Sequence, residues 1–166
     1  MPQPTDKHEA HRRLIARLRE QADDIRRITS GLDEQQLATR TFPEKWSLKE
    51  LVCHLWRIHQ VFDGRLDVML AQDNPAVANY EPEGDPEFDK MAARPAAESL
   101  AGFAADRERL AARLEGLSPA AWHRTGRHPE FGHYDVHFLV EYMALHEAHH
   151  MYQMYQRRAP LGQIPH

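Results

Sequence analysis

Leu14, Leu18, Ile25 and Ile28 recur at three-, four- and seven-residue intervals, which predicts a helix from about Lys7 to Thr29. Gly31 stands where glycine commonly closes a helix, and Asp33 with Gln36 three residues on predicts a short capped turn to Leu37. Ser47 and Glu50 have the spacing of a capping box, each side chain able to accept from the other residue's backbone N–H. Leu48, Leu51, Leu55, Ile58, Phe62, Leu66 and Met69 then run as one apolar stripe, the mark of a second long helix. Residues 71–96 hold four prolines and a scatter of acids with no sustained period, and read as a long surface connection. Leu100, Phe103, Leu110 and Leu114 place a third helix at about Ala97 to Glu115. Ser118-Pro119 opens a brief turn to Trp122, and residues 123–134 form a loop rich in glycine, proline and histidine. A last helix runs from about Asp135 to Arg158, with Arg157 and Arg158 at the negative end of its dipole. No strand pattern or internal repeat interrupts this order. The long segments make rods of roughly 28–36 Å, matched in length as the members of a bundle are. The expectation is an all-α four-helix bundle forming one domain over residues 1–166. Short links join helices one and two, and the long connection between helices two and three lets those two run parallel.

Composition narrows the class. The chain has 166 residues, 42% hydrophobic and 28% charged, with a formal net charge of −4 and a pI near 6.3. That charge creates no field for collecting phosphates, so no nucleic-acid partner is expected. No apolar run reaches the length of a membrane span, and MPQPTDKHEAHRRL lacks the apolar segment of a secretory signal. The single cysteine, Cys53, excludes an intramolecular disulfide and suits a reducing cytoplasmic setting; a small buried side chain is its expected role. Histidine is the outlier, with twelve in the chain.

The histidines concentrate in His146-Glu147-Ala148-His149-His150, inside the last helix. Residues four apart in a helix differ by about 40° around its axis, so His146 and His150 project side by side, among Leu139, Met143 and Met154. Imidazoles on an apolar face need partners, and a divalent metal satisfies both nitrogens at once. Zinc and its neighbours take three or four protein ligands, and His54, about 60° from the middle of the second helix's stripe, is the best third candidate. His59 lies on the opposite edge, about 140° from His54, which argues against both serving one ion. The string also matches H-E-x-x-H, with Glu147 in the place of a protease's general base. A zinc protease takes its third ligand downstream. Here only His166 follows as a histidine, with no Asp or Glu after His150, and Glu147 turns about 100° from His146 toward an expected solvent-facing position.

WSLKELVCHLWRIHQVF followed by RHPEFGHYDVHFLVEYMALHEAHHMYQM resembles the DinB/YfiT-like metalloenzymes, most specifically at WSLKELVCHL, HPEFG and HEAHHMYQ. The resemblance spans most of the chain through helix order and the long second connection. It implies an up-down-down-up bundle, often a homodimer. Carried over residue by residue, it implies His54, His146 and His150 as ligands of a divalent metal, with zinc, nickel, iron and manganese all used in the family. It also implies small-molecule chemistry, either hydrolysis or S-transfer with a low-molecular-weight thiol as cosubstrate.

Three neutral ligands leave an ion's charge uncompensated and its other positions open, which suits a metal-dependent transferase or hydrolase. The rival from another class is a metal- or small-ligand-binding stress-response module without turnover; a further rival is a structural dimer with neutral, hydrogen-bonded histidines. Glu50, Asp63 and Glu141 are the carboxylates available to orient ligand imidazoles. His133 and His137 are read as capping and loop residues, His8 and His11 as solvated, and Trp46 and Trp56 as packing anchors. Met151, Tyr152, Met154 and Tyr155 surround the last helix, so burial against a second subunit is expected.

Overall fold

The computed structural model describes residues 7–165; the first six residues and His166, named above, lie outside them. The described chain forms α1 (Lys7–Thr29), α2 (Glu34–Ala38), α3 (Leu48–Ala71), α4 (Pro86–Ala92), α5 (Ala96–Glu115) and α6 (Val136–Arg158). Short 3-10 turns occupy Ala121–His123 and Ala159–Leu161. Both expected capping boxes are made. Asp33 accepts from Gln36 N at 2.8 Å, and Ser47 Oγ accepts from Glu50 N at 3.1 Å, with the reciprocal Gln36 and Glu50 bonds in place. Gly31 adopts φ +75°, a left-handed conformation that costs glycine little.

The long rods are α1, α3, α5 and α6. Gln21 Nε2 donates to Ala144 O at 3.0 Å and Arg158 Nη1 donates to Ile28 O at 3.0 Å, so α1 and α6 run the same way. Cys53 meets Ser99, His59 meets Phe103 and Asp63 meets Arg113, so α3 and α5 also run together. His54 pairs with His150 and Phe62 with Tyr142, which makes α3 antiparallel to α6. The bundle is therefore up-down-down-up, with α1 and α3 on one diagonal and α5 and α6 on the other. The 71–96 connection makes the parallel pair possible, because it carries the chain back along a full rod. It is not wholly irregular: α4 forms within it, capped by Asp85 and started by Pro86. Seven residues are too few to reveal a period in the sequence.

Two apolar clusters fill the bundle. Leu14, Leu18, Phe62, Leu66, Leu110, Leu139 and Met143 belong to one; Ile25, Leu48, Leu51, Leu55, Phe103 and Met154 belong to the other. Between them every long rod contributes a polar group: Gln21 from α1, His54 and His59 from α3, Arg107 from α5, and Glu147 from α6. This polar waist carries the site.

Candidate metal centre

The α3 capping box sets the start of that helix two turns before His54, and α6 presents His146 and His150 one turn apart on the face that meets α3. The three Nε2 atoms converge. His54 Nε2 lies 3.1 Å from His150 Nε2, and His150 Nε2 lies 3.2 Å from His146 Nε2. His54, His146 and His150 each offer a ligand atom within 4.8 Å of the others, with His54 buried and its partners half-buried. His59 stands apart, packed on Phe103 and Arg107.

Burial and mutual repulsion keep these rings neutral. Burial, then His150 and His146, pushes His54 down to about 3; burial, then His150 and His149, pushes His146 down to about 4; burial also lowers His150. Neutral imidazole is the form that ligates a metal. His150 Nδ1–H donates to Gln153 Oε1 at 2.8 Å, which leaves the Nε2 lone pair directed at the cluster. Nitrogens held about 2.0–2.1 Å from one ion stand about 2.8–3.4 Å apart across octahedral and tetrahedral geometries, so the observed spacings fit a common divalent ion. Nδ1 of His54 and of His146 are buried and have no protein partner among the described residues.

The carboxylates expected to orient these rings are committed elsewhere. Glu50 binds Arg40 and the Ser47 amide, Asp63 pairs with Arg113, and Glu141 lies by His137. Among the described residues only His150 is oriented at Nδ1 by a side chain, the amide of Gln153 one turn beyond it, a residue that no carboxylate pattern in the sequence marks. Trp46 is more than a packing anchor: its ring lies 4.9 Å from that of His54 and 5.3 Å from Phe88. Trp56 does anchor α3 to α5, donating from Nε1 to Asp106 Oδ2 at 2.7 Å. Cys53 is fully buried beside Ser99, as a small core side chain.

Glu147 corrects an expectation. It does not face solvent but is 3% exposed, and both its oxygens accept from the Arg107 guanidinium, one at 2.9 Å. The reason is topological: α6 buries one face against α3 and a second against α1, and Glu147 lies toward the centre of the bundle, where Arg107 reaches it across the diagonal from α5. His11 corrects another. It is 7% exposed and stacks on Trp122 with ring centroids 4.0 Å apart. His133 behaves as expected of a loop residue, 3.2 Å from Asp135 Oδ2, while Asp135 Oδ1 caps α6 by accepting from Phe138 N at 2.8 Å.

A cavity of about 220 Å³ opens against His146, walled by Phe62, Arg65, Tyr80, His128 and Tyr142. No helix among the described residues is long and apolar enough to cross a membrane.

An up-down-down-up bundle with three convergent imidazoles across two antiparallel helices defines the class of molecule. Residues 17–154 match the family model of the DinB superfamily, and the chain belongs to that family. Over 128 residues it is 28% identical to a protein of Oceanobacillus iheyensis provisionally named a metal-dependent hydrolase, covering 76% of this chain and 73% of that one. The fold matches YfiT from Bacillus subtilis, a protein described as a probable metal-dependent hydrolase of unusual four-helix topology. The TM-score is 0.82 at 20% identity, over 98% of this chain and 93% of YfiT.

Proposed function

We propose that His54, His146 and His150 hold one divalent metal ion and that the protein uses it to hydrolyse a small molecule. The observation that carries this reading is the convergence of three neutral Nε2 atoms at 3.1 and 3.2 Å beside an open cavity. The provisional naming of the Oceanobacillus relative supports hydrolysis as the reaction. A divalent ion there supplies a Lewis acid that polarises a carbonyl and acidifies water.

The chain's own residues do the rest. Gln153 holds the His150 tautomer, while Trp46 packs at a tilt beside His54 and Tyr142 stacks beside His146, which limits the rotation of both rings. The cavity gives a substrate access from the His146 side. Glu147 does not act as the base of an H-E-x-x-H protease in this reading, because Arg107 holds both carboxylate oxygens on the far face of α6. S-transfer with a small thiol would use the same ligands and the same cavity, with sulfur replacing water as nucleophile. A closed metal-binding module would not need the cavity, whereas a module that binds a small ligand without turnover would, and metal-dependent turnover separates that rival from the enzyme. We further propose a cytoplasmic homodimer: Leu145, Tyr152 and Tyr155 are 55%, 64% and 57% exposed along α6, a face that a second copy would cover.

The test is metal content by mass spectrometry for untagged protein beside His54→Ala, His146→Ala and His150→Ala. About one ion per chain, lost in each variant, is the expected result, followed by metal-dependent turnover in an ester and amide screen. Wild-type protein that takes up no divalent metal on reconstitution overturns the reading.

A further inference from the structure

The cavity against His146 ends on a cation with no acidic partner. Arg65 stands eleven residues beyond His54 on α3, which returns it to nearly the same helix face, about 20° away. Its guanidinium is positioned by neutral groups alone. Nη1 donates to Tyr134 Oη at 3.2 Å, Nη2 donates to Ala78 O at 2.6 Å, and Cζ lies 5.1 Å from the Phe62 ring centroid. Among the described residues no carboxylate lies within ion-pairing distance of it, whereas Arg57, Arg107 and Arg113, its neighbours on α3 and α5, all have acidic partners. A half-buried arginine in direct contact with no carboxylate, yet held by two acceptors and a ring, keeps spare N–H donors for a ligand.

We propose that Arg65 is the anchor for a carboxylate on the substrate, so that the molecule processed here is a small monocarboxylate lying between Arg65 and the three histidines. The assignment rests on the proposed function for the reactive end and on Arg65 alone for the anionic end. The cavity volume of about 220 Å³ limits the ligand; at roughly 20 Å³ per non-hydrogen atom in a close-packed site, it takes on the order of ten atoms. Glu81 and Glu130 also line the cavity; set against Arg65 and a divalent ion they leave a single net positive charge, which suits a monoanion better than a dianionic phosphate. Next to Arg65, His128 accepts the Glu130 amide at Nδ1, 3.1 Å away. Its neutral ring therefore carries the proton on Nε2, as a donor for a second substrate oxygen.

The test compares matched probes: benzoate with benzamide, and N-acetylglycine with N-acetylglycinamide. Binding to the metal-loaded protein is measured by calorimetry and ligand-observed NMR. In wild type at least one carboxylate should bind five- to tenfold more tightly than its amide. That preference should vanish in Arg65→Met, which keeps the apolar stem, and persist in Arg65→Lys, with metal content unchanged in both. Arg65→Gln, which keeps a donor for Ala78 O, serves as the neutral variant if Arg65→Met does not fold. Equal binding of acid and amide for both pairs in wild type overturns the proposal. So does a preference that survives in the neutral variant but disappears when the metal is stripped, since the carboxylate then sits on the ion. An Arg65-dependent preference in a protein that binds no metal leaves this anchor standing and removes the proposed function instead.

Discussion

Arg107 and Glu147 form a buried ion pair that ties all four long helices together. From α5, Arg107 Nη1 donates to Leu18 O of α1 at 2.8 Å and to Glu147 Oε1 of α6 at 2.9 Å, while Nε points at His59 Nδ1 of α3, 3.5 Å away. The pair is nearly inaccessible, with side chains 1% and 4% exposed. Glu147 follows His146 directly and precedes His150 by three residues. The ion pair therefore fixes the rotation of α6 about its axis, and with it the aim of two imidazoles.

Removing one member of such a pair strands a charge in the core. Glu147→Ala should cost about 3–5 kcal/mol of unfolding free energy. Arg107→Met combined with Glu147→Leu should cost less than Glu147→Ala alone, because no unpaired charge remains. Urea unfolding of the variants checks this. A double variant less stable than the single one would mean that the Leu18 and His59 contacts, rather than the charge pair, dominate.

Acid should destabilise the metal-free protein well before its carboxylates titrate. Burial, then Arg107 and Arg109, pushes His59 down to about 3 from an ordinary value of 6.5. Between those two pH values the unfolded chain binds the proton that the folded chain refuses, so stability falls as pH falls through this window. One such group contributes a slope of up to about 1.4 kcal/mol per pH unit. His54 and His146, pushed down to about 3 and about 4, act in the same direction. His59→Gln should flatten the slope between pH 6 and pH 4.5 by about one group's share. An unchanged slope in unfolding titrations would remove His59 from the account.

Gln153 orients His150 without touching the proposed ion. Gln153→Ala should weaken metal affinity about tenfold to a hundredfold while leaving the stoichiometry intact. Gln153→Glu should bind at least as tightly as wild type, since a carboxylate is the stronger acceptor for the Nδ1 proton. Competition against a chromophoric chelator measures both. Wild-type affinity in the alanine variant would show that packing alone aims the ring.

Gly102 lets α5 approach α3. A Cβ at this position would stand 2.3 Å from Trp56 Cζ2, so Gly102→Ala must displace the indole. Its helix-propensity gain of about 1 kcal/mol should be outweighed, for a net loss of about 1–2 kcal/mol. Trp56 emission and thermal unfolding report on this together, and a more stable variant would contradict the close contact.

The sequence by itself determined the four long helices, the caps at Asp33 and Ser47 and the pairing of His146 with His150, because each depends on residues within a few positions of one another; α4 was too short to show. Periodicity located α1, α3, α5 and α6 to within a residue or two, and both capping boxes formed where Asp33 and Ser47 had marked them. His54 was readable as a neighbour of the pair because the angle around α3 put it at the edge of the buried face. What lay beyond reach was everything set by which faces of two helices meet. Glu147 reads as solvent-facing from its own helix, since only the packing of α1 beside α6 and of α5 across the diagonal buries it against Arg107. His11 reads as solvated until Trp122, more than a hundred residues away, stacks on it. Arg65, one of many arginines in the chain, becomes distinctive only when the fold surrounds it with neutral partners and opens a cavity beside it. Local hydrogen bonds and hydrophobic spacing are short-range physics and are written along the chain. Burial, charge pairing and access to a cavity belong to packing between distant segments, and those the tertiary structure alone decided.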